Sequence, residues 1–394
     1  MRQIYFDNSA TTPLCSEARA AMLGAMEAFG NPSSLHTLGV EAEKLVSDAR
    51  RAILSALGVR YATKLDGRQL IFTASGTEAD NLALLGTACA KSFAPGKKII
   101  ISDSEHPAIM EPAKELERRG FEVVRISTKG GAPDYETIEK AADRNTILAS
   151  FMLVNNETGA VYDIKRISDV VKAANPDALI HTDCVQGFLK RRFTQKSLGA
   201  DLITLSAHKI GGPKGVGALY VSPEVIKSKK LAPIIFGGGQ ESGMRSGTEN
   251  VIGIAGFGAA AAANFARLDD NIAHEAAIRS RLIEALSDDK RFPGVRLNLP
   301  SGEAAAHILS VRLPAIKSEV MLHSLSHEGI YVSSGSACSS NTGHGSYVLA
   351  AFGLTEREAD CTIRISLGAQ NTPDEAEYFL DALEASIGSL QRLR

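Results

Sequence analysis

Paired cysteines are missing from this 394-residue chain. Its five cysteines, Cys15, Cys89, Cys184, Cys338 and Cys361, form an odd set with no C-x-x-C spacing. That argues against a disulfide framework and a structural zinc site, and it points to a reducing, cytoplasmic compartment. Taken singly, each cysteine reads as a small buried apolar residue. Long apolar runs are missing too. No segment approaches the roughly 20 apolar residues of a membrane helix, and the nearest, IGIAGFGAAAAANFA, is Ala-rich and reads as a buried helix. The opening MRQIYFDNSATTP reaches Asp7 without an apolar stretch, so it does not read as a secretory signal. Neither sign of charge dominates: the formal net charge is -2, and KSKK at Lys227 to Lys230 reads as a solvated turn. A whole-chain affinity for nucleic acid or for an anionic membrane is therefore not expected.

What remains is globular. Hydrophobic residues make up 44% and charged residues 22%, ordinary values for a folded soluble chain. The runs QLIFT, KKIII, EVVRI, TILASFMLV, ALIHT, DLITL and GALYV are short and rich in β-branched residues, and most are separated by segments of helical period such as EADNLALLGTACAKSF and DIKRISDVVKAA. That alternation predicts an α/β domain with a mostly parallel sheet and crossover helices. A long helical stretch follows from Glu249 to about Asp288. After it, AHILSVRL, SEVMLHSLSHEGI, CTIRISL and DEAEYFLDALEASIGSL predict a smaller α+β domain.

Ligands of open α/β sheets gather where strands end, so the residues just after the strand runs carry the chemistry. After QLIFT comes ASGTEADN, where Gly76 admits a ligand to backbone amides and Thr77 opens a helix, a phosphate cradle. Thr77 with Asp80 three residues on also fits a plain capping box. After ALIHT stand Asp183 and Gln186, and an aspartate there is often only a helix cap. After DLITL stand Ser206, His208 and Lys209, and after KKIIIS stands His106, which is either a flat ring for stacking or a helix-start histidine. The order of phosphate cradle, strand-end carboxylate and strand-end lysine matches the needs of pyridoxal phosphate: a phosphate site, a partner for the pyridine nitrogen and a Schiff-base amine.

Ten blocks in order, DNSATTP, GNPSSLH, FTASGTEADN, SEHPAI, VNNETG, HTDCVQ, SAHKIGGPKGVGALY, GGGQESGMRSGTEN, SSGSACSS and RISLG, make the chain resemble the class V branch of the aspartate-aminotransferase fold, and within it the cysteine desulfurases of iron-sulfur cluster assembly. The resemblance implies a fold type I large domain over residues 15–262. It implies a small domain of residues 1–14 and 263–394 that carries a mobile cysteine loop at about 333–346. It also implies that Lys209 carries pyridoxal 5'-phosphate, Asp183 meets its pyridine nitrogen, Gln186 faces its phenolic oxygen and His106 stacks on its ring. Thr77, Ser206 and His208, with the amide of Gly76, would hold the phosphate, and Thr248 would reach the phosphate of the other subunit of a homodimer. Asn156 and Arg364 would hold the substrate's carboxylate; without the resemblance, Arg364 reads as an ion pair at a strand end.

The implied reaction removes sulfur from L-cysteine, leaving alanine and a persulfide on Cys338 for a protein acceptor such as an iron-sulfur scaffold or a tRNA-thiolation enzyme. Selenocysteine lyase or another pyridoxal-phosphate lyase on the same frame stays open, as does a non-catalytic sulfur-relay protein. The chain departs from the family pattern in AVYDI after VNNETG, in SSNTGHGSY after Cys338 and in AQNT after RISLG, which leaves the acceptor undefined. His344, six positions beyond Cys338, is not read as a metal ligand, and no metal is expected.

Overall fold

The computed structural model describes residues 3–61, 68–90, 96–335 and 345–392. Twelve strands run through them: β1 Ile4–Tyr5, β2 Leu70–Thr73, β3 Lys98–Ser102, β4 Glu122–Ile126, β5 Thr146–Ser150, β6 Leu179–Asp183, β7 Leu202–Ser206, β8 Gly217–Val221, β9 Arg296–Leu297, β10 Ile308–Arg312, β11 Ile330–Tyr331 and β12 Thr362–Ser366. Seven form the main sheet, in the order β2-β8-β7-β6-β5-β3-β4.

The strands of that sheet are apolar on both faces because both faces are covered. Ile99 and Ile101 point to one side, against Leu82 and Leu84 of the helix Gly76–Ala88 and Ile109 and Leu116 of the helix Pro107–Arg118. Ile100 points to the other, where Ile53, Ile167 and Phe257 come from the helices Thr37–Ala56, Ile164–Ala174 and Val251–Ala266. The β3–β4, β3–β5, β5–β6 and β6–β7 pairings are parallel, as the alternation predicts, whereas β8 runs antiparallel to both β2 and β7. Between Ser206 and Gly217 the chain has only a 3₁₀ turn, Ala207–Lys209, and a parallel crossover needs a dozen residues or more. The chain therefore doubles back, and GALYV joins as the reversed strand.

A second core is built from both ends of the chain. Ile4 and Phe6 pack with Leu309, Val311, Ile363, Ile365 and Phe379, and the rings of Phe6 and Phe379 meet edge to face with centroids 5.7 Å apart. β10 pairs antiparallel with β12 and β9, and β1 pairs parallel with β11. The long helical stretch expected from Glu249 is two helices, Val251–Ala266 and Leu268–Leu286, bent by 73° where Arg267 leaves helical geometry (φ −114°, ψ 14°). Among the described residues no single helix is long and apolar enough to cross a membrane. The Ala-rich Val251–Ala266 buries Ile254, Phe257, Ala260 and Ala261 in the main core.

Candidate active site

The carboxyl ends of β2, β3, β5, β6 and β7 lie along one edge of the main sheet, and the segments that follow them assemble there. After β2, the helix Gly76–Ala88 is capped by Ser75, whose hydroxyl accepts from Glu78 N at 3.2 Å. The capping box of Thr77 and Asp80 does not form. Thr77 lies inside the helix and is exposed, while Asp80 is buried with Oδ1 at 3.6 Å from His181 Nε2. Ser75 satisfies only Glu78, so the amides of Gly76 and Thr77 face outward without a partner among the described residues, the usual anion-binding state of a helix start. A side chain cannot replace Gly76 freely: its Cβ would stand 3.0 Å from Val185 Cγ2 and 3.5 Å from Ser206 Cβ. The strand-end serine therefore adjoins the bare amides. His208 sets Nδ1 3.1 Å from Thr11 Oγ1, and burial, followed by the charges of Lys209, Lys214 and Lys190, lowers its pKa to about 4, so its imidazole is neutral.

Asp183 closes β6. Its Oδ1 accepts from Val185 N at 2.8 Å in a local turn, not the helix cap a strand-end aspartate often makes, since no helix starts there, and its second oxygen takes no hydrogen bond from a described residue. Burial raises its pKa while the Lys209 charge opposes the rise, so a cation seated against it would hold it ionised. Gln186 donates through Nε2 to Ser9 O at 2.9 Å, and its Oε1 is buried without a partner. His106 is at once helix cap and site residue. Its Nδ1 accepts from Ala108 N at 3.1 Å, and burial, with the Lys209 charge second, lowers its pKa to about 4. With Thr77 it lines a groove of 450 Å³ between the helices Gly76–Ala88 and Pro107–Arg118.

Lys209 lies in the 3₁₀ turn that follows β7, where a side chain is held by a rigid strand end. Its Nζ donates to Ser9 O at 2.6 Å and Ala10 O at 2.8 Å. Burial pulls its pKa down to about 7, helped by the positive charges of Lys190 and Arg364 and opposed by Asp7 and Asp183. An amine that is neutral near pH 7 is a nucleophile and a base, which an ordinary lysine is not.

Arg364, on β12, is 3% exposed. It donates through one terminal nitrogen to Asn156 O at 3.0 Å and Gly335 O at 3.2 Å, and through the other to Asp7 Oδ1 at 2.7 Å. The strand-end ion pair exists, and it sits beside the lysine. Asn156 follows β5 in the same corner, with its side-chain amide not engaged by any described residue. Thr248 is exposed and bonds to none of these groups. Its segment is tied back by Arg245 to Glu78 at 2.8 Å and by the buried pair Arg50–Glu241 at 2.8 Å. Cys338 and His344 lie outside the described residues. The flanks of their segment are anchored to the site, because Arg364 holds Gly335 O and Ser346 donates to Glu157 at 2.6 Å.

Sequence reasoning gave no role to Asp7, Ser9, Ala10, Thr11 and Thr12. The opening segment folds across the site: Thr12 Oγ1 donates to His208 O at 2.9 Å and accepts from Gly211 N at 2.7 Å. Its polar run directly after the buried Ile4–Phe6 was the signal available. Lys190, at the end of the apolar GFL, was also passed over.

A family profile described as aminotransferase class-V matches residues 4–379. The chain is 38% identical over its whole length to a cysteine desulfurase IscS of Dictyoglomus turgidum, covering 96% of that protein. A solved NifS-like protein superposes with a TM-score of 0.88 at 34% identity, over 98% of this chain and 100% of that one. A structure described as SspA in complex with cysteine gives 0.78 at 31%, over 94% and 100%. The chain belongs to the class-V aminotransferase family. Its activity is that of a cysteine desulfurase, a sulfurtransferase, in preference to the lyase and relay readings.

Proposed function

We propose that the chain takes sulfur from L-cysteine with pyridoxal 5'-phosphate held at the edge just described, and passes it through Cys338 to an acceptor. The observation that carries this is the neutral-prone Lys209 amine set among Asp183, the bare amides of Gly76 and Thr77, and the Arg364 guanidinium. The donor set fits the cofactor. Gly76, Thr77, Ser206 and His208 would take its phosphate, Asp183 its ring nitrogen, Gln186 its phenolic oxygen, His106 its ring face and Lys209 its aldehyde carbon. Bound there, pyridoxal phosphate supplies an electron sink for the bonds around the substrate's Cα.

The protein's own groups then do the following. Arg364 and Asn156 hold the carboxylate of L-cysteine and so fix which bond to Cα faces Lys209. Lys209, neutral near pH 7, takes the proton from Cα and returns it. His106 would move the proton of the substrate thiol. Cys338, as thiolate, attacks the substrate sulfur; the carbon–sulfur bond breaks with its electron pair kept by Cβ, Cβ takes up a proton, alanine leaves and the sulfur stays on Cys338 as a persulfide. Gly335, anchored by Arg364, precedes Cys338 by three residues, a tether of at most about 11 Å.

We further infer a homodimer in which Thr248 reaches the partner's phosphate site. The exposed apolar side chains Leu23, Met26, Phe29, Leu35, Val40 and Phe236 are the surface such an interface would cover. The division into residues 15–262, and 1–14 with 263–394, a cytoplasmic location, and an iron-sulfur scaffold or tRNA-thiolation enzyme as acceptor belong to the same proposal. The test is the purified protein, its visible spectrum, and L-cysteine with a reductant, assaying alanine and sulfide beside Cys338→Ala. A coloured wild type that forms both products, and a coloured variant that binds cysteine without releasing sulfur, are expected. Undiminished turnover in Cys338→Ala would overturn the persulfide route.

A further inference from the structure

Three groups of the site rest on one short strap of chain, Asp7 to Thr12. Asp7 Oδ1 accepts from Arg364 at 2.7 Å, Ser9 O accepts from Gln186 Nε2 at 2.9 Å and from Lys209 Nζ at 2.6 Å, and Ala10 O accepts from Lys209 Nζ at 2.8 Å. The two ends of the strap are tied to the elements that carry those groups. At one end Asp7 bridges to Ser366, two residues beyond Arg364 on β12; at the other Thr12 N donates to His208 O at 2.9 Å, next to Lys209. The strap therefore spans the gap between the carboxylate clamp and the amine.

Between its ends the strap turns, with Ala10 N donating to Asp7 O at 3.0 Å, and side chains rather than a strand ladder hold the turn. Asn8 is fully buried. Its Nδ2 reaches Ser366 O at 2.9 Å, Tyr5 O at 3.1 Å and Asn371 Oδ1 at 3.2 Å, and its Oδ1 accepts from Gln370 Nε2 at 2.7 Å. Those neighbours call for an amide, which gives and takes; an aspartate there would lack the donors. Ser9 N donates to Ser366 Oγ at 2.8 Å. Gln370 and Asn371 belong to AQNT, one of the runs in which the chain departs from the family pattern.

A neutral lysine amine has two N–H bonds and one lone pair. Two carbonyls within hydrogen-bond distance take both hydrogens, so the lone pair is left in the one remaining tetrahedral direction instead of rotating freely. Ser9 O is then full, because Lys209 and Gln186 use both of its lone pairs. We propose that the carbonyls of Ser9 and Ala10 are the seat that aims the lone pair of the Lys209 amine at the substrate's Cα proton, and that Asn8 is a positioning residue that fixes this seat. A base that must meet a proton along one line gains rate from such fixing.

This rests on the pyridoxal-phosphate reading, and the experiment separates the two. Holoenzyme carrying Cys338→Ala, in which sulfur does not move, serves as parent, and Asn8→Ala and Ser366→Ala are added to it singly. Entry of deuterium at Cα of L-cysteine in heavy water, followed by NMR, reads the proton step of Lys209 alone. A base displaced by about 1 Å loses on the order of 100-fold in rate, so exchange should fall by about 10- to 100-fold in both variants. The dissociation constant of L-cysteine, read from the visible band, should stay within threefold, because the Asp7–Arg364 pair keeps its atoms in both. Exchange within threefold of the parent in a folded variant, or a loss of binding that matches the loss of exchange, overturns the inference. Should Asn8→Ala fail to fold, Ser366→Ala, which deletes one oxygen, carries the test. The apo parent is also crystallised: Lys209 Nζ should lie within hydrogen-bond distance of Ser9 O and Ala10 O, and an amine away from both overturns the seat. A parent without any visible band sinks the function reading instead, and the crystal positions still decide the seat.

Discussion

Replacing Arg364 tests the substrate clamp with a magnitude the structure supplies. The guanidinium engages Asn156 O, Gly335 O and Asp7 through its two terminal nitrogens, and it is buried. Three of its five N–H groups are engaged, which leaves one on the nitrogen that holds Asp7 and one on Nε for two charge-assisted bonds to a carboxylate, whereas the ammonium of Arg364→Lys presents a single point. Losing one such bond costs about 1.5–3 kcal/mol, or roughly 10- to 150-fold in kcat/KM at 1.4 kcal/mol per tenfold. Arg364→Ala loses both, for about 3–6 kcal/mol and at least 150-fold. The carboxylate is held alike before and during reaction, so most of the loss should fall on KM rather than kcat. The assay is the initial rate of alanine formation across a range of L-cysteine, with the visible spectrum of each variant as the check that the cofactor site is intact. If Arg364→Ala keeps kcat/KM within threefold, or loses kcat with KM unchanged, then Arg364 only anchors Gly335 and the clamp is wrong.

Two further outcomes follow from buried groups. Because burial lowers the Lys209 pKa to about 7 from an ordinary value near 10.5, the apo protein should react with pyridoxal phosphate at a rate that rises through pH 7; a rise only near pH 10 would refute it. The folded state then binds fewer protons than the unfolded one between those values, so this lysine makes stability increase with pH across that window. Arg50 donates to both oxygens of Glu241 at 2.8 Å, with side chains 8% and 3% exposed, and Glu241 also accepts from Phe72 N at 2.9 Å. Arg50→Met leaves that carboxylate buried and uncompensated, and should cost about 3–5 kcal/mol in denaturant unfolding. The double variant Arg50→Met with Glu241→Leu should recover part of it, and an additive loss would show that the pair is not coupled.

Much of the site was legible along the chain because its parts are local. The short β-branched runs end where strands end, so Asp183, Ser206 and Lys209 could be placed at one edge without knowing which strands are neighbours. The α/β order and the glycine at the start of the helix Gly76–Ala88 were readable for the same reason: propensity, period and capping act over a few residues. Even so, the cap proved to be Ser75 rather than Thr77. Several hydroxyls in SGT can close a helix start, and backbone geometry alone selects among them.

What the sequence determined by itself, then, was the inventory and its order: a strand-end lysine, a strand-end carboxylate, a glycine-led helix start and a cysteine in a Ser/Gly-rich segment. Tertiary structure decided what state those groups are in. Burial, and after it the charges of Lys190 and Arg364, bring the Lys209 pKa down to about 7, and Arg364 is oriented by Asp7, 357 positions away along the chain. GALYV turns antiparallel because the turn before it is too short to cross the sheet. Spacing along a chain encodes local conformation, but desolvation and Coulomb energy depend on distance through space, and only the folded protein sets that distance.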